Sequence, residues 1–574
     1  MNKLKNYYIL NAFRLITQII WLNIPVFLFI NLKYFPTGTS YIEKYLIIQF
    51  INTSIFLVIF RKKNQNYLVQ NFQFTILIFY NLAYTKLIYF DNNLFYIQNS
   101  EPSIVVNLAF ILSSFYLVEK NFNKNKILMI QFIFFLAIFH IEILGIYLIF
   151  LYFKYKFEFN FSKSEFLLFK SIPIAILFLR FIFSLSKNFN IFWYSLIRKP
   201  YSGSTRFYDM QWNLLNIKCN SGNTSGDYLF FGSFMECPET YSPMYNLIVL
   251  DLKIQNTTYI LYLIFCILLT FGYFRLLNKF SNKKELVVIV FLSPPLNFLI
   301  YQGNLDLIVL ITLLFISSSI SSKMHIKLIF LFFVAIFEIH PVLILFGFLF
   351  LFLLEKEVKY FLFTLFLVVA FIGFLFFDFE NKKFSNQYLA QQLGTSTYIN
   401  DIFTSFGLKL DLIFLSEIIK VNIYFIIFFV SIFIYFFFSK YIQYKINLEK
   451  ELLPLSIYFI GTIILENPVY RLSIFLILFI SLFSEKFLKL NYLILFSLFL
   501  NPTPLLEIQN SLEFHILNSY NQFDVLMNYL NEAFNKLDLL LVLLNRLGLY
   551  AIYGLLLKYL IDLIIKYLKL GKIQ

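Results

Sequence analysis

The sequence predicts an all-α fold: a polytopic transmembrane helical protein of roughly 14 to 18 spans with one long outer loop. Three observations predict it. Hydrophobic residues make up 60% of the 574 positions, aromatic residues 21% and charged residues 14%, a balance that no soluble core accommodates. Apolar runs of about 20 residues, enough to cross a hydrocarbon layer about 30 Å thick, recur from Leu10 to Leu568. These runs lack the strict alternation of a membrane barrel strand, and only a helix pairs its own backbone groups in lipid.

The net charge of +15 sits in short clusters between apolar runs, so it forms no continuous basic face for nucleic acid. The clusters read as topology signals, because positive short loops stay inside. Arg61 to Lys63, Lys120 to Lys126, Lys279 to Lys284, Lys323 and Lys327, Lys356 and Lys359, Lys440 and Lys445, Lys486 and Lys489, and the tail Lys566 to Lys572 alternate with segments poor in basic residues. Lys3, Lys5 and Arg14 keep the N-terminus inside, which makes both termini cytoplasmic. The first apolar segment contains Pro25 and lacks a small-residue cleavage pattern, so it reads as a retained helix and not as a signal peptide. Abundant Phe, Ile, Asn, Lys and Tyr point to an AT-rich, bacterial source, and the expected location is the inner (cytoplasmic) membrane.

Three regions follow: 1–165, an N-terminal transmembrane region without a reaction motif; 166–500, a core carrying the long outer loop 186–245; and 501–574, an outer segment and a last transmembrane helix. Two apolar runs, Ile127 to Phe153 and Leu328 to Leu354, are too long for one span and are interrupted by His140 with Glu142 and by Glu338, His340 and Pro341. Each predicts a tight helical hairpin turning at the outer face. Tyr45 to Arg61 resembles Tyr259 to Arg275, and Ala137 to His140 resembles Ala335 to Glu338, so 41–156 reads either as a diverged copy of 258–355 or as coincidence among Phe/Ile-rich helices.

The loop from Ser186 to Tyr245 shifts abruptly to Ser, Gly, Asn, Asp and Pro, and a loop of that length implies a role. It is expected between a helix from Phe166 to Leu185 and one from Thr258 to Leu277. Cys219 and Cys237 lie in it, while Cys266 falls in an apolar helix. Outside the membrane the loop pair either forms a disulfide, adding about 2–4 kcal/mol, or stays as two free thiols.

The stretch Arg206-Phe207-Tyr208-Asp209-Met210-Gln211-Trp212, followed by Cys219, Cys237-Pro238 and Tyr241-Ser242-Pro243, resembles the first outer loop of the GT-C membrane glycosyltransferases, family 87 above all. Ser293-Pro294-Pro295 with Gln302-Gly303-Asn304-Leu305-Asp306, Glu338-Ile339-His340-Pro341 and Asn467-Pro468-Val469-Tyr470-Arg471-Leu472 are similar to later motifs of such proteins, and the resemblance covers about 166–500. It implies that an acceptor hydroxyl attacks the anomeric carbon of a sugar carried on polyprenyl phosphate at the outer face, releasing the lipid phosphate. The implied partners are membrane lipid, the polyprenyl-phosphate-linked donor and a glycan, lipid or protein acceptor, with no nucleic acid.

A carboxylate at the membrane surface can take the hydroxyl proton from hydrogen-bond distance. Asp209 is the candidate base, flanked by Tyr208 and Trp212, whose rings can stack on a sugar; Asp227 is the runner-up. The departing phosphate needs cations or donors, and an arginine offers a bidentate contact that lysine cannot. Arg206 and Arg471 fit, although Arg471 can equally snorkel or pair with Glu466. His340 either donates to phosphate or caps the hairpin by bonding Glu338. Gln302, Asn304 and Asp306 either line the same cavity or only end one helix and begin the next.

Asp378 and Glu380 form an acidic pair at an outer helix end where a divalent metal could sit, but Lys382 and Lys383 beside them point to a solvated face. No metal or other cofactor is expected. The segment from Asp378 to Lys420 is expected to roof the cavity. Neither a phosphate-binding glycine loop nor a dinucleotide fingerprint occurs, in keeping with a lipid-linked donor. The rival expectations are a lipid or lipid-linked glycan transporter or flippase, for which polar residues would sit at mid-membrane, and a polysaccharide polymerase.

Overall fold

A computed structural model describes residues 70–75, 102–139, 141–185, 254–318, 324–337, 340–381, 452–461 and 547–565, with Met210, parts of 430–438 and isolated positions between 473 and 544. Among the described residues the chain is helical and contains no strand, so the all-α class holds. Two of these helices, Tyr259–Lys279 and Leu547–Ile565, are long and apolar enough to cross a membrane. Shorter apolar helices of 10–17 residues stand beside them among the described residues.

Two of the apolar runs are divided into shorter helices. The first expected hairpin is α2 (Lys126–Phe139) and α3 (Ile141–Tyr155), and it follows α1 (Pro102–Asn121). The second is α9 (Met324–Phe337) and α10 (Val342–Glu355), preceded by α8 (Asp306–Ser318). At 1.5 Å per residue, helices of this length reach only about 20 Å. Phe132 meets Tyr147 edge to face with ring centroids 5.0 Å apart, so α2 and α3 pack side by side and are not one continuous helix. Both runs are therefore divided where the sequence places the break.

α1 lies alongside α3: Phe115 packs on Tyr147 and Phe150, Phe122 stacks on Tyr155 at 3.8 Å, and Lys154 pairs with Glu119. Some polar side chains at this end bond one another. Asn125 donates to the Asn71 side chain at 2.9 Å, and Gln131 donates to Thr75 at 2.7 Å. α3 then leaves through a turn in which Lys156, Phe157 and Asn160 take positive φ, a conformation tolerated because Phe157 and Phe159 are buried beneath it.

α4 (Lys163–Leu185) and α5 (Ile254–Lys279) match the helices expected on either side of the long loop, each a few residues longer. They are tied by the Tyr273 hydroxyl, which donates to the Lys170 carbonyl at 2.8 Å in the turn before Pro173. Thr270, Thr312 and Thr364 each return a hydroxyl to the carbonyl four residues earlier, which hides a polar group inside an apolar helix.

The chain continues through α6 (Lys284–Phe291), α7 (Pro294–Gln302), α11 (Val358–Asn381), α12 (Leu452–Gly461) and α13 (Leu547–Ile565). Packing orders the ends. Gly272 lies against Leu314, Phe315 against Phe330, and His325 and Phe352 against Tyr360, so the turns carrying Lys120 to Lys126, Lys279 to Lys284 and Lys356 to Lys359 gather at one end. The opposite end holds the start of α3, where Gly145 sits beside Pro294 and the Phe499 carbonyl, and the junctions α7–α8 and α9–α10. For the proposed repeat, 41–69 and 76–101 lie outside the described residues.

Candidate functional site

The polar residues of the end opposite the lysines are built by helix breaks. Pro294 and Pro295 occupy the first positions of α7, where a missing N–H is harmless. Carbonyls at this break are served by Asn297, whose side chain donates to Leu292 O at 2.9 Å and Ser293 O at 3.0 Å. Asn297 is buried, and sequence reasoning passed over it. The signal was its position one turn into a helix opened by two prolines.

α7 ends at Gln302 with Gly303 in the left-handed conformation, φ 60°, where a side chain would be strained. Asn304 then accepts the Asp306 backbone N–H at 2.8 Å through its side-chain oxygen. This local bond opens α8 in the way an N-cap does. Gly303 and Asn304 thus end one helix and begin the next, one of the two readings open from the sequence. The same junction also brings Asp306 beside His340.

Asp306, 1% exposed, and His340, 6% exposed, lie with carboxylate Oδ1 and imidazole Nε2 3.1 Å apart. The backbone explains the meeting. Asp306 is the first residue of α8, and the His340 carbonyl accepts from Leu343 N–H at the start of α10, so two helix beginnings face each other. His340 therefore lies against Asp306; Glu338, the partner expected for it within the hairpin, lies outside the described residues. A buried carboxylate and imidazole are tolerated as a pair far better than singly.

Tyr458 of α12 completes the cluster, its ring 5.8 Å from that of His340 and itself 1% exposed. No motif marks it: it stands inside an apolar helix. What brings it there is glycine. A Cβ at Gly347 of α10 would fall 2.4 Å from Pro454 Cα, and one at Gly461 would fall 2.4 Å from Leu343 Cδ1. α10 and α12 approach so closely only because both lack side chains at these contacts.

Of the other expected site residues, Arg206, Tyr208, Asp209, Trp212, Cys219, Asp227, Cys237 and Arg471 lie outside the described residues. Met210, next to Asp209, is helical and 1% exposed within the main apolar cluster. Gln302 ends α7, and Asp378 and Glu380 fall in the last turn of α11; their side chains are outside the description. Cys266 is buried in α5 and forms no disulfide. Among the described residues no three His, Cys, Asp or Glu side chains stand at metal-ligating distance. No family model, curated protein or solved structure matches the chain.

The Asn304 cap makes one prediction. Asn304→Ala removes the acceptor of the Asp306 N–H and is expected to lower stability by about 1 kcal/mol, whereas Asn304→Asp keeps the acceptor and most of the stability. Thermal unfolding of the purified chain reads the difference. Equal losses in the two variants would show that the side-chain oxygen caps nothing.

Proposed function

We propose that the chain is a polytopic membrane glycosyltransferase that moves a sugar from a polyprenyl-phosphate carrier to a hydroxyl acceptor at the outer face of the membrane. The observation that carries this reading is the buried cluster of Asn304, Asp306, His340 and Tyr458 at the end opposite the lysine-rich turns. An ionisable pair in such an apolar protein is by default a functional hypothesis, and residues on separate helices converge on it.

The membrane part is supported by the outward faces of the helices. On α11, Val358, Leu362, Phe366 and Val369 are exposed, Phe366 by 67%, while Thr364, Leu367, Val368 and Phe371 are buried. Ile260, Ile264, Ile267 and Phe271 form a similar exposed stripe on α5, and Ile326, Ile329, Phe330 and Phe333 on α9. Apolar faces of this extent on several helices suit lipid and not water. The lysine-rich turns then lie in the cytoplasm, and the cluster lies at the outer side.

In the reaction the acceptor oxygen forms a bond to the anomeric carbon as the bond from that carbon to the phosphate oxygen breaks. The hydroxyl proton passes to Asp209, and the lipid phosphate leaves with the bonding electrons. Arg206 and Arg471 receive the phosphate charge, Tyr208 and Trp212 stack on sugar, and the cluster around His340 supplies a hydrogen-bond donor from the helical body. Met210, buried beside Asp209, supports an anchored base and not one on a free loop.

The test is incubation of the purified chain with a panel of polyprenyl-phosphate sugars and candidate hydroxyl acceptors. Released lipid phosphate together with glycosylated acceptor is the expected result. A sugar that stays on its lipid in every mixture, but crosses from one leaflet to the other in vesicles containing the protein, would replace transfer by flipping.

A further inference from the structure

We propose that Arg275 on α5 holds the phosphate of an anionic phospholipid of the cytoplasmic leaflet, whose acyl chain lies along the apolar stripe leading away from it. The inference rests on the membrane part of the proposed function and not on the transferase reaction. Ile260, Ile264, Ile267 and Phe271 are 44–60% exposed and recur every three or four residues, so they form one outward face of the helix. From Ile260 to Phe271 that face runs about 16 Å at 1.5 Å per residue, close to half of a hydrocarbon layer about 30 Å thick. The length suits one acyl chain. Arg275 stands one turn further on, is also exposed, and places its guanidinium carbon 5.0 Å from the centre of the Phe271 ring.

The direction of this side chain separates a lipid site from a charge escaping to water. Cytoplasmic water lies beyond the C-terminal end of α5, on the side of Lys279, Lys283 and Lys284, and a snorkelling arginine would extend that way. The guanidinium instead lies back over Phe271, one turn deeper, where the ring face attracts it. There it calls for an anion. α5 contains no Asp or Glu from Ile254 to Lys279, and among the described residues Arg275 pairs with no carboxylate. The neighbouring helices keep theirs elsewhere. Gly272 meets Leu314 of α8, whose one carboxylate, Asp306, opens the helix at the opposite end. Tyr273 binds α4, whose one carboxylate, Glu165, accepts the Ser162 N–H at 2.8 Å.

A guanidinium offers parallel donors that fit a phosphate bidentately. Inorganic phosphate alone would answer the arginine and leave the stripe bare, whereas a phospholipid occupies both. Lys279, Lys283 and Lys284 at the same end disfavour the ammonium of a zwitterionic headgroup and favour a net negative one.

The test places the full-length chain in phosphatidylcholine vesicles doped with phosphatidylglycerol that carries a photoactivatable diazirine on one acyl chain. Crosslinked residues are located by peptide mass spectrometry, and yields are normalised to the exposed stripe of α11 in the same sample. The expected crosslinks fall on α5 between Ile264 and Phe274, and the same diazirine on phosphatidylcholine gives fewer of them. Arg275→Gln lowers the phosphatidylglycerol yield about fivefold, the effect of one basic residue near a membrane surface. Arg275→Lys, which keeps the charge without the planar fork, falls between.

Equal normalised yields for the two lipids on the native chain overturn the proposal without any variant, and so does a phosphatidylglycerol yield unchanged in Arg275→Gln. Crosslinks on both stripes that ignore headgroup and arginine alike would leave the membrane reading in place and remove the lipid site. A chain that stays outside the vesicles would refute the membrane reading and the lipid site with it.

Discussion

Asp209→Asn is expected to lower sugar transfer by about 10²- to 10⁴-fold, the usual contribution of a general base, while binding of the lipid-linked donor survives. The amide keeps the size and much of the hydrogen bonding of the carboxylate but cannot accept the hydroxyl proton. The neighbouring Met210 is buried in the apolar core, so the isosteric change leaves that anchor intact. Turnover counted as released lipid phosphate, with donor affinity measured separately, checks the result. A solvated aspartate would behave differently, since surface changes typically fall within about 0.5 kcal/mol. Near-native turnover in Asp209→Asn, combined with loss in Asp227→Asn, would transfer the role of base to Asp227.

The second large effect is structural and reaches the site from a distance. Gly347→Val is expected to destabilise the chain by 3 kcal/mol or somewhat less on the ~1–3 kcal/mol scale of overpacked cores, and to pull Tyr458 away from His340. A Cβ at Gly347 would meet Pro454 Cα at 2.4 Å and Pro454 O at 2.9 Å. Both are backbone atoms, so no rotamer change relieves the clash and α12 as a whole must move. Gly373 of α11 is the matched control, because nothing lies within 4 Å of the Cβ it would acquire. Gly373→Ala is expected to be neutral or to stabilise by up to about 1 kcal/mol, through helix propensity alone. Opposite signs in thermal unfolding would locate the effect in the α10–α12 contact; equal shifts would mean that the close approach contributes nothing.

Much of this was visible in the order of residues. The breaks at His140 and at Glu338 to Pro341 interrupt apolar runs with groups that a continuous apolar helix would strand, and the helices divide there. Pro294 and Pro295 announced a helix start, and Gly303 with Asn304 an end and a new beginning, because their backbone chemistry acts within three or four residues. Asn304 and His340 were singled out as members of one site, and they stand beside the same aspartate. Asp306 itself was noted as lining the cavity or as marking the change from one helix to the next, and not as the partner of His340. Tyr458 and Asn297 were invisible, since an isolated polar atom inside an apolar helix carries no periodic signal and gains meaning only from what packs against it.

By itself the sequence determined the all-α class, the division of its apolar runs into short helices and the segregation of lysines into alternate turns. These depend on local hydropathy, backbone restrictions of Pro and Gly, and the spacing of charges. Tertiary structure alone decided that His340 pairs with Asp306, that Tyr458 lies against its ring, and that Gly347 and Gly461 admit the helix that brings it there. Such contacts join residues far apart in the chain. They depend on close packing between helices, where a misfit of one methyl group is enough to exclude a partner, and that fit is set by atoms on both sides at once.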